Sequence, residues 1–236
     1  MRKDLMLDIS CQNCNARTHS IFKGFDFEET SSLNEIKACS KFKKGQYIFS
    51  ENGYPQGLYC INHGKIKLTT QGNTGKEQIL RLLKEGDVAG YRALLSNEKY
   101  HCSALALEDC SVCFVPKEKF FEMLKENSKL SFEVMKLLAN NLRKAEEQIT
   151  SLAQKSVRER MAEALLFFNA TYGTNNIDNS INYNFSREEI ADFVGTSTET
   201  TIRLLSDFKK ENLISLEGKK IIITDKAKLA HISGLD

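Results

Sequence analysis

No apolar run in the sequence approaches the ~18–20 residues that cross a bilayer, so no membrane-spanning helix is expected. The first ten residues, MRKDLMLDIS, contain Asp4 and Asp8 and lack the apolar stretch of a secretory leader. The expected location is therefore the cytoplasm. Charge of one sign is also missing: 33 Lys+Arg face 31 Asp+Glu, for a net +2, so bulk charge points to no partner. Any contact with nucleic acid must come from local placement. No phosphate-loop GxxxxGK[ST] pattern, Ser-His-Asp set or paired-carboxylate motif occurs. The four histidines, His19, His63, His101 and His231, lie far apart. No catalytic residue, and hence no enzyme, is expected.

What is present suffices for a folded protein. The chain has 236 residues, 41% of them hydrophobic and 27% charged, which excludes disorder along its length and gives room for one large domain or two modest ones. Seven cysteines in a cytoplasmic chain are expected to be free, metal-bound or redox-active rather than paired, and an odd number argues against a closed disulfide framework.

Residues 41–116 read as β structure, with short apolar stretches such as Gln46–Phe49, Leu58–Ile61, Lys65–Thr70, Glu77–Leu82 and Ser111–Val115 punctuated by single glycines. This texture predicts a roll, barrel or sandwich. Residues 21–40 read as a short helical lead-in. Beyond Pro116, one of only two prolines, the period becomes helical. In a long helix from about Lys129 to Ala153, Met135, Leu138, Leu142, Ala145, Ile149 and Leu152 recur at alternating steps of three and four, flanked by Arg143, Lys144, Glu146 and Glu147. So narrow a seam with charged flanks predicts a dimer coiled coil; the alternative is an amphipathic helix packed on its own domain. A hinge is expected at Gln154–Ser156, where Ser156 and Glu159 form a capping-box pattern opening a new helix. Residues 173–180 read as a polar loop and Ile181–Phe185 as a short strand.

Ser186 and Glu189 repeat the capping box. The helix they open ends at Gly195, and a second starts near Thr198 with Ile202, Leu205 and Phe208 expected inward, which predicts two short helices joined by a tight glycine turn. Residues 212–224 then read as a β-hairpin, the wing of a winged helix. A small helical hairpin without nucleic acid is the alternative.

The segment SREEIADFVGTSTETTIRLLSDFKKENLI resembles the DNA-binding segment of the Crp/Fnr transcription regulators. LYCINHGKIKLTTQGNTGKEQILRLLKEGDVAGYRALL resembles their cyclic-nucleotide-type β-roll, and the resemblance covers nearly the whole chain. It implies an α+β fold with three parts: an N-terminal sensor domain over residues 1–128, a dimerisation helix and hinge over 129–155, and a winged helix-turn-helix over 156–236. It implies a cytoplasmic homodimer on palindromic double-stranded DNA, acting as an activator with RNA polymerase as a partner. Matching positions put Ser197, Thr198, Glu199 and Arg203 at base edges, and Ser186, Arg187, Thr196 and Lys219 at phosphates. An Arg guanidinium donates twice to guanine, and a Glu carboxylate accepts from cytosine. Glu199 and Arg203, four apart, can also orient each other. Thr198 and Ile202 replace more polar family residues, which implies half-sites nearer the TTG type of the oxygen-sensing branch.

The signal is less clearly written. In the roll, Gly90, Tyr91, Arg92 and Ala93, with His101 and Cys102, fall where the cAMP branch holds its ligand. Tyr91 stands in place of that branch's Glu, and Ala145-Glu146 replace its adenine contacts, so cAMP is not the expected effector. Arg92 leaves a different small anion open. A second set is Cys11, Cys14, His19 and Cys113, matching three of the four cysteines of the oxygen-sensing branch, with Ser20 at the remaining position and His19 beside it. This set implies an iron–sulfur cluster or zinc; Cys39, Cys60, Cys102 and Cys110 read as core residues. The alternative to a DNA-binding regulator is a ligand-binding regulatory subunit acting through protein contacts.

Overall fold

The computed structural model describes residues 6–7, 9–72 and 75–234. The chain divides into two compact units, Met1–Gly75 with Ile79–Leu142 and Lys76–Gln78 with Arg143–Asp236.

The first unit opens with β1 (Met6–Leu7), α1 (Asn15–Thr18) and α2 (Phe27–Ile36). A capping box starts α2: the Asp26 carboxylate accepts from the Glu29 amide and the Glu29 carboxylate from the Asp26 amide, both at 2.9 Å. The strands are β2 (Ala38–Phe42), β3 (Tyr47–Phe49), β4 (Gly57–His63), β5 (Ile66–Gln71), β6 (Glu77–Leu83) and β7 (Val88–Ala89); then, after the short helix α3 (Tyr91–Ser96), β8 (Ser103–Ala106) and β9 (Cys110–Pro116). They form two sheets, ordered β1-β2-β9-β4-β7 and β3-β8-β5-β6. Apolar side chains from strands and from α3 fill the roll: Leu58, Ile61, Ile66 and Ile79 of the strands and Leu94 of α3 are fully buried. Helix α4 (Lys117–Glu126) buries Phe120 completely, and α5 (Ser128–Gln154) anchors its first turns through Leu130 and Val134. Removing a ring such as Phe120 costs about 3–5 kcal/mol.

The second unit contains α6 (Val157–Tyr172), α7 (Arg187–Val194), α8 (Thr198–Lys210), the hairpin β10 (Ile214–Glu217) and β11 (Lys220–Ile223), and α9 (Lys226–Ser233). Its core joins Met161, Leu165, Phe168, Phe185, Ile190, Leu205, Phe208 and Leu229. Phe168 stacks on Phe185 with centroids 4.1 Å apart. Capping boxes at Ser156–Glu159 and Ser186–Glu189 start α6 and α7 as the sequence predicts.

Three local expectations are corrected. Residues 38–40 belong to β2, paired with β9, rather than to the helical lead-in, because α2 ends at Ile36 and the strand starts three residues before the expected β region, with Cys39 buried on its inner face. Ile181–Phe185 makes only an isolated bridge, Thr174 to Ile181. Its apolar alternation reflects burial of Phe185 against Phe168, not sheet pairing. The cysteines are not all unpaired: Cys39 and Cys113 form a disulfide, because the β2–β9 register sets them directly opposite, with Cα atoms 4.0 Å apart.

Candidate functional site

Helix α7 ends at Gly195, whose φ of +74° lies in the left-handed region that glycine adopts without strain. The chain reverses and Ser197 caps α8: its Oγ accepts from the Thr200 amide and donates to the Thr200 hydroxyl, both at 3.1 Å. Leu204, Leu205 and Phe208 bury one face of α8. The opposite face presents Glu199, Ile202, Arg203 and Ser206 along a shallow groove with Asp207 and Lys210. Ile202 is 53% exposed, an apolar side chain on a polar face. Among the described residues no ion pair joins Glu199 to Arg203. The Glu199 carboxylate instead turns back to its own amide and to Ser197, which hold its pKa below the usual carboxylate range. Arg203 is left exposed, its forked donors pointing outward.

Of the residues matched to phosphate contacts, Lys219 is exposed in the wing turn. Arg187 is half-buried and donates from Nη2 to the Gly218 carbonyl at 3.0 Å, bracing that turn. Its Nη1 is buried without an acceptor, and burial lowers its pKa. The Ser186 hydroxyl is occupied by its cap, accepting from the Glu189 amide at 3.0 Å. The Thr196 amide donates to the Ala191 carbonyl at 3.0 Å, closing the turn.

In the roll, Gly90 takes φ +85° and precedes α3. Tyr91 is buried at 5% exposure. Its hydroxyl accepts from Arg81 Nη1 at 2.8 Å and from Asn141 Nδ2 of α5. Neither Arg81 nor Asn141 was singled out from sequence; a Tyr in place of an acidic ligand contact was the available signal. Ala93 and Cys102 are buried, while Arg92 and His101 are at the surface. Partial burial, then the charge of Arg92, lowers the His101 pKa. Burial pushes the Cys102 thiol up to about 11.

Cys11, Cys14, Cys60 and Cys113 line one cavity of about 40 Å³, together with Arg17, Lys37 and Asn62. Cys60, read as core from sequence, faces this cavity, and burial is the main cause that raises its pKa. Burial likewise raises that of Cys11. Cys14 Sγ accepts from Asn62 Nδ2 at 3.3 Å. His19 is exposed and does not line the cavity. The Ser20 hydroxyl is used in its own turn, donating to the Arg17 carbonyl at 2.8 Å and accepting from the Phe22 amide at 3.1 Å. With Cys113 bonded to Cys39 and His19 turned away, the set Cys11, Cys14, His19 and Cys113 does not fit a cluster or zinc in this arrangement. Among the described residues no three His, Cys, Asp or Glu side chains converge as a metal ion requires.

Along α5, Met135, Leu138, Leu142, Ile149 and Leu152 are 37–66% exposed, and Ala145 is exposed with them. No helix among the described residues is long and apolar enough to cross a membrane.

Comparison with known proteins agrees with this layout. Residues 39–127 match the cyclic nucleotide-binding domain and residues 159–232 the Crp-like helix-turn-helix domain. The chain is 30% identical over 228 residues to the anaerobic regulatory protein of Aggregatibacter actinomycetemcomitans, covering 96% of this chain and 88% of that protein. It is 29% identical over 229 residues to the fumarate and nitrate reduction regulatory protein of Vibrio cholerae, covering 96% and 91%. Its fold is that of FixK2 from Bradyrhizobium japonicum, with a TM-score of 0.74 at 23% identity, covering 84% of this chain and 97% of that one. A β-roll, a long helix and a helix-turn-helix with a wing, matched over nearly the full length of these regulators, place the chain in the Crp/Fnr family of transcription regulators.

Proposed function

We propose that the chain is a homodimeric, sequence-specific regulator that reads a palindromic DNA site in the cytoplasm and answers to a signal at its N-terminal roll other than cAMP. The observation that carries this is the outer face of α8: Glu199 and Arg203 are exposed beside Ile202, on a helix held by its own core and cap. A helix serving only as packing has no use for such a face, whereas the major groove takes an Arg fork to guanine and an apolar group to a thymine methyl. Ser197 and Thr198 lie at the same end, and Lys219 in the wing supplies charge for a phosphate. Met135, Leu138, Leu142, Ala145, Ile149 and Leu152 form the seam for a second copy, which sets two reading helices about 34–36 Å apart. The relatives named above are regulators by name, and an activator working with RNA polymerase is the corresponding expectation here. Selection of bound duplexes from a random pool tests the reading. Wild type should enrich a palindrome with TTG-type half-sites, and a pool without enrichment would contradict it.

Against cAMP stands Tyr91, whose hydroxyl is held by Arg81 and Asn141 where a ligand would have to compete. The signal then enters elsewhere in the roll and biases the pairing of α5, which requires the input to favour one arrangement over the other.

A further inference from the structure

Three adjacent strands carry one cysteine each at a single register position. Cys113 of β9 lies opposite Cys39 of β2 on one side and opposite Cys60 of β4 on the other. Side chains paired this way point to one face of the sheet. On that face lie Cys11 and Cys14, lining the same cavity as Cys60 and Cys113. Five of the seven cysteines thus gather at one place, and one pair of them is bonded. Lys37 Nζ stands 3.5 Å from Cys39 Sγ, a cation beside the sulfur that would leave as thiolate. Where DNA is read, thiols are held reduced, and disulfides that form there are mostly redox-sensing.

We propose that Cys39 and Cys113, with Cys60 as the neighbouring thiol, form a reversible thiol–disulfide site through which small-molecule disulfides and thiols set the state of the roll. This rests on the regulator reading above for its output, but not for its chemistry. The dithiol gives two electrons and two protons to a low-molecular-weight disulfide of the glutathione type. That disulfide's S–S bond breaks to give two thiols, and the Cys39–Cys113 bond forms. In reverse, the thiolate of a small thiol attacks one sulfur of the pair, and the other sulfur leaves as a thiolate and takes up a proton. A second small thiolate then attacks the outer sulfur of this mixed disulfide, releasing the small-molecule disulfide and the second cysteine as a thiolate that is protonated in turn. With Cys39 absent, the register offers Cys60 as the alternative partner of Cys113.

The test equilibrates the full chain in buffers of varied reduced-to-oxidised glutathione ratio, traps free thiols with a maleimide, and maps peptides without reduction. The expected result is seven trapped cysteines at the reducing end and five at the oxidising end, with a linked Cys39–Cys113 peptide that disappears reversibly. Cys39→Ser should yield a Cys60–Cys113 link, and Cys113→Ser no link within the sheet. Seven trapped cysteines at every ratio, or a link confined to Cys11 and Cys14, would overturn the site. Cys39→Ser without a Cys60 link would remove Cys60 from it. Binding of the selected palindrome by the same two forms should differ by roughly 5-fold or more; equal binding would overturn the role as an input. Binding by neither form, with the peptide link intact, would instead defeat the regulator reading.

Discussion

The Tyr91 hydroxyl joins the roll to the long helix: it accepts from Arg81 Nη1 on β6 at 2.8 Å and from Asn141 Nδ2 on α5. The ring is buried beside Leu94 and Val134, so the bond is held in place by packing. Tyr91→Phe keeps that packing and leaves two donors without their shared acceptor. Stability should fall by about 1–2 kcal/mol, with amide exchange in α5 accelerating around Asn141; denaturant unfolding and hydrogen exchange check both. The same wild-type protein should show no rise in Tm with millimolar cAMP, since binding only the folded state at 100 times Kd would add about 2.7 kcal/mol.

Arg203→Ala should remove discrimination at one base pair of each half-site, a loss of about 1–3 kcal/mol per half-site against the best sequence. Affinity for unrelated DNA, which rests on phosphates, should change little. Competition mobility-shift titrations with matched and scrambled duplexes distinguish these outcomes.

Asp178 stabilises the loop between α6 and α7 only while ionised. Lys220, then Ser180, hold its carboxyl well below the ordinary carboxylate range. A pKa depressed in the folded state gives stability that is present above the unfolded value of about 3.9 and lost as pH falls below it. Wild type should therefore lose Tm more steeply than Asp178→Asn between about pH 4 and pH 2, the window below the unfolded carboxylate value. Parallel acid limbs in the two proteins would contradict this.

Leu142→Glu and Ile149→Glu place charges on side chains that are 62% and 66% exposed in the single chain. Each should leave the fold's circular dichroism unchanged and convert a dimer to a monomer in sedimentation velocity, because a buried charge in a coiled-coil seam costs more than its stability margin.

Local sequence signals carried most of the architecture. Capping boxes at Ser156 and Ser186 begin helices where their spacing predicts, and Gly195 ends α7. These are short-range effects, readable from neighbours in the chain. On α8, Glu199 and Arg203 were legible for the same reason, four apart on one face, but Ile202 was not: the helical period reads it inward with Leu205 and Phe208, whereas Thr201 and Leu204 take the buried positions and Ile202 is 53% exposed. The cysteine arrangement was not. Whether Cys39, Cys60 and Cys113 meet depends on the register of three strands distant in sequence, which alternation does not fix. Ile181–Phe185 misled because Ile181 and Phe185 are buried from an irregular segment, and a short alternation does not tell such burial from that of a paired strand.

The most direct measurement compares wild-type affinity for the selected palindrome with affinity for the same duplex after about 5 bp, half a helical turn, is inserted between its half-sites. A rigid pair of reading helices predicts that affinity falls toward that of a single half-site, since the second site rotates to the opposite face. Affinity indifferent to the insertion would show that the two half-sites are not read together and would contradict the dimeric account.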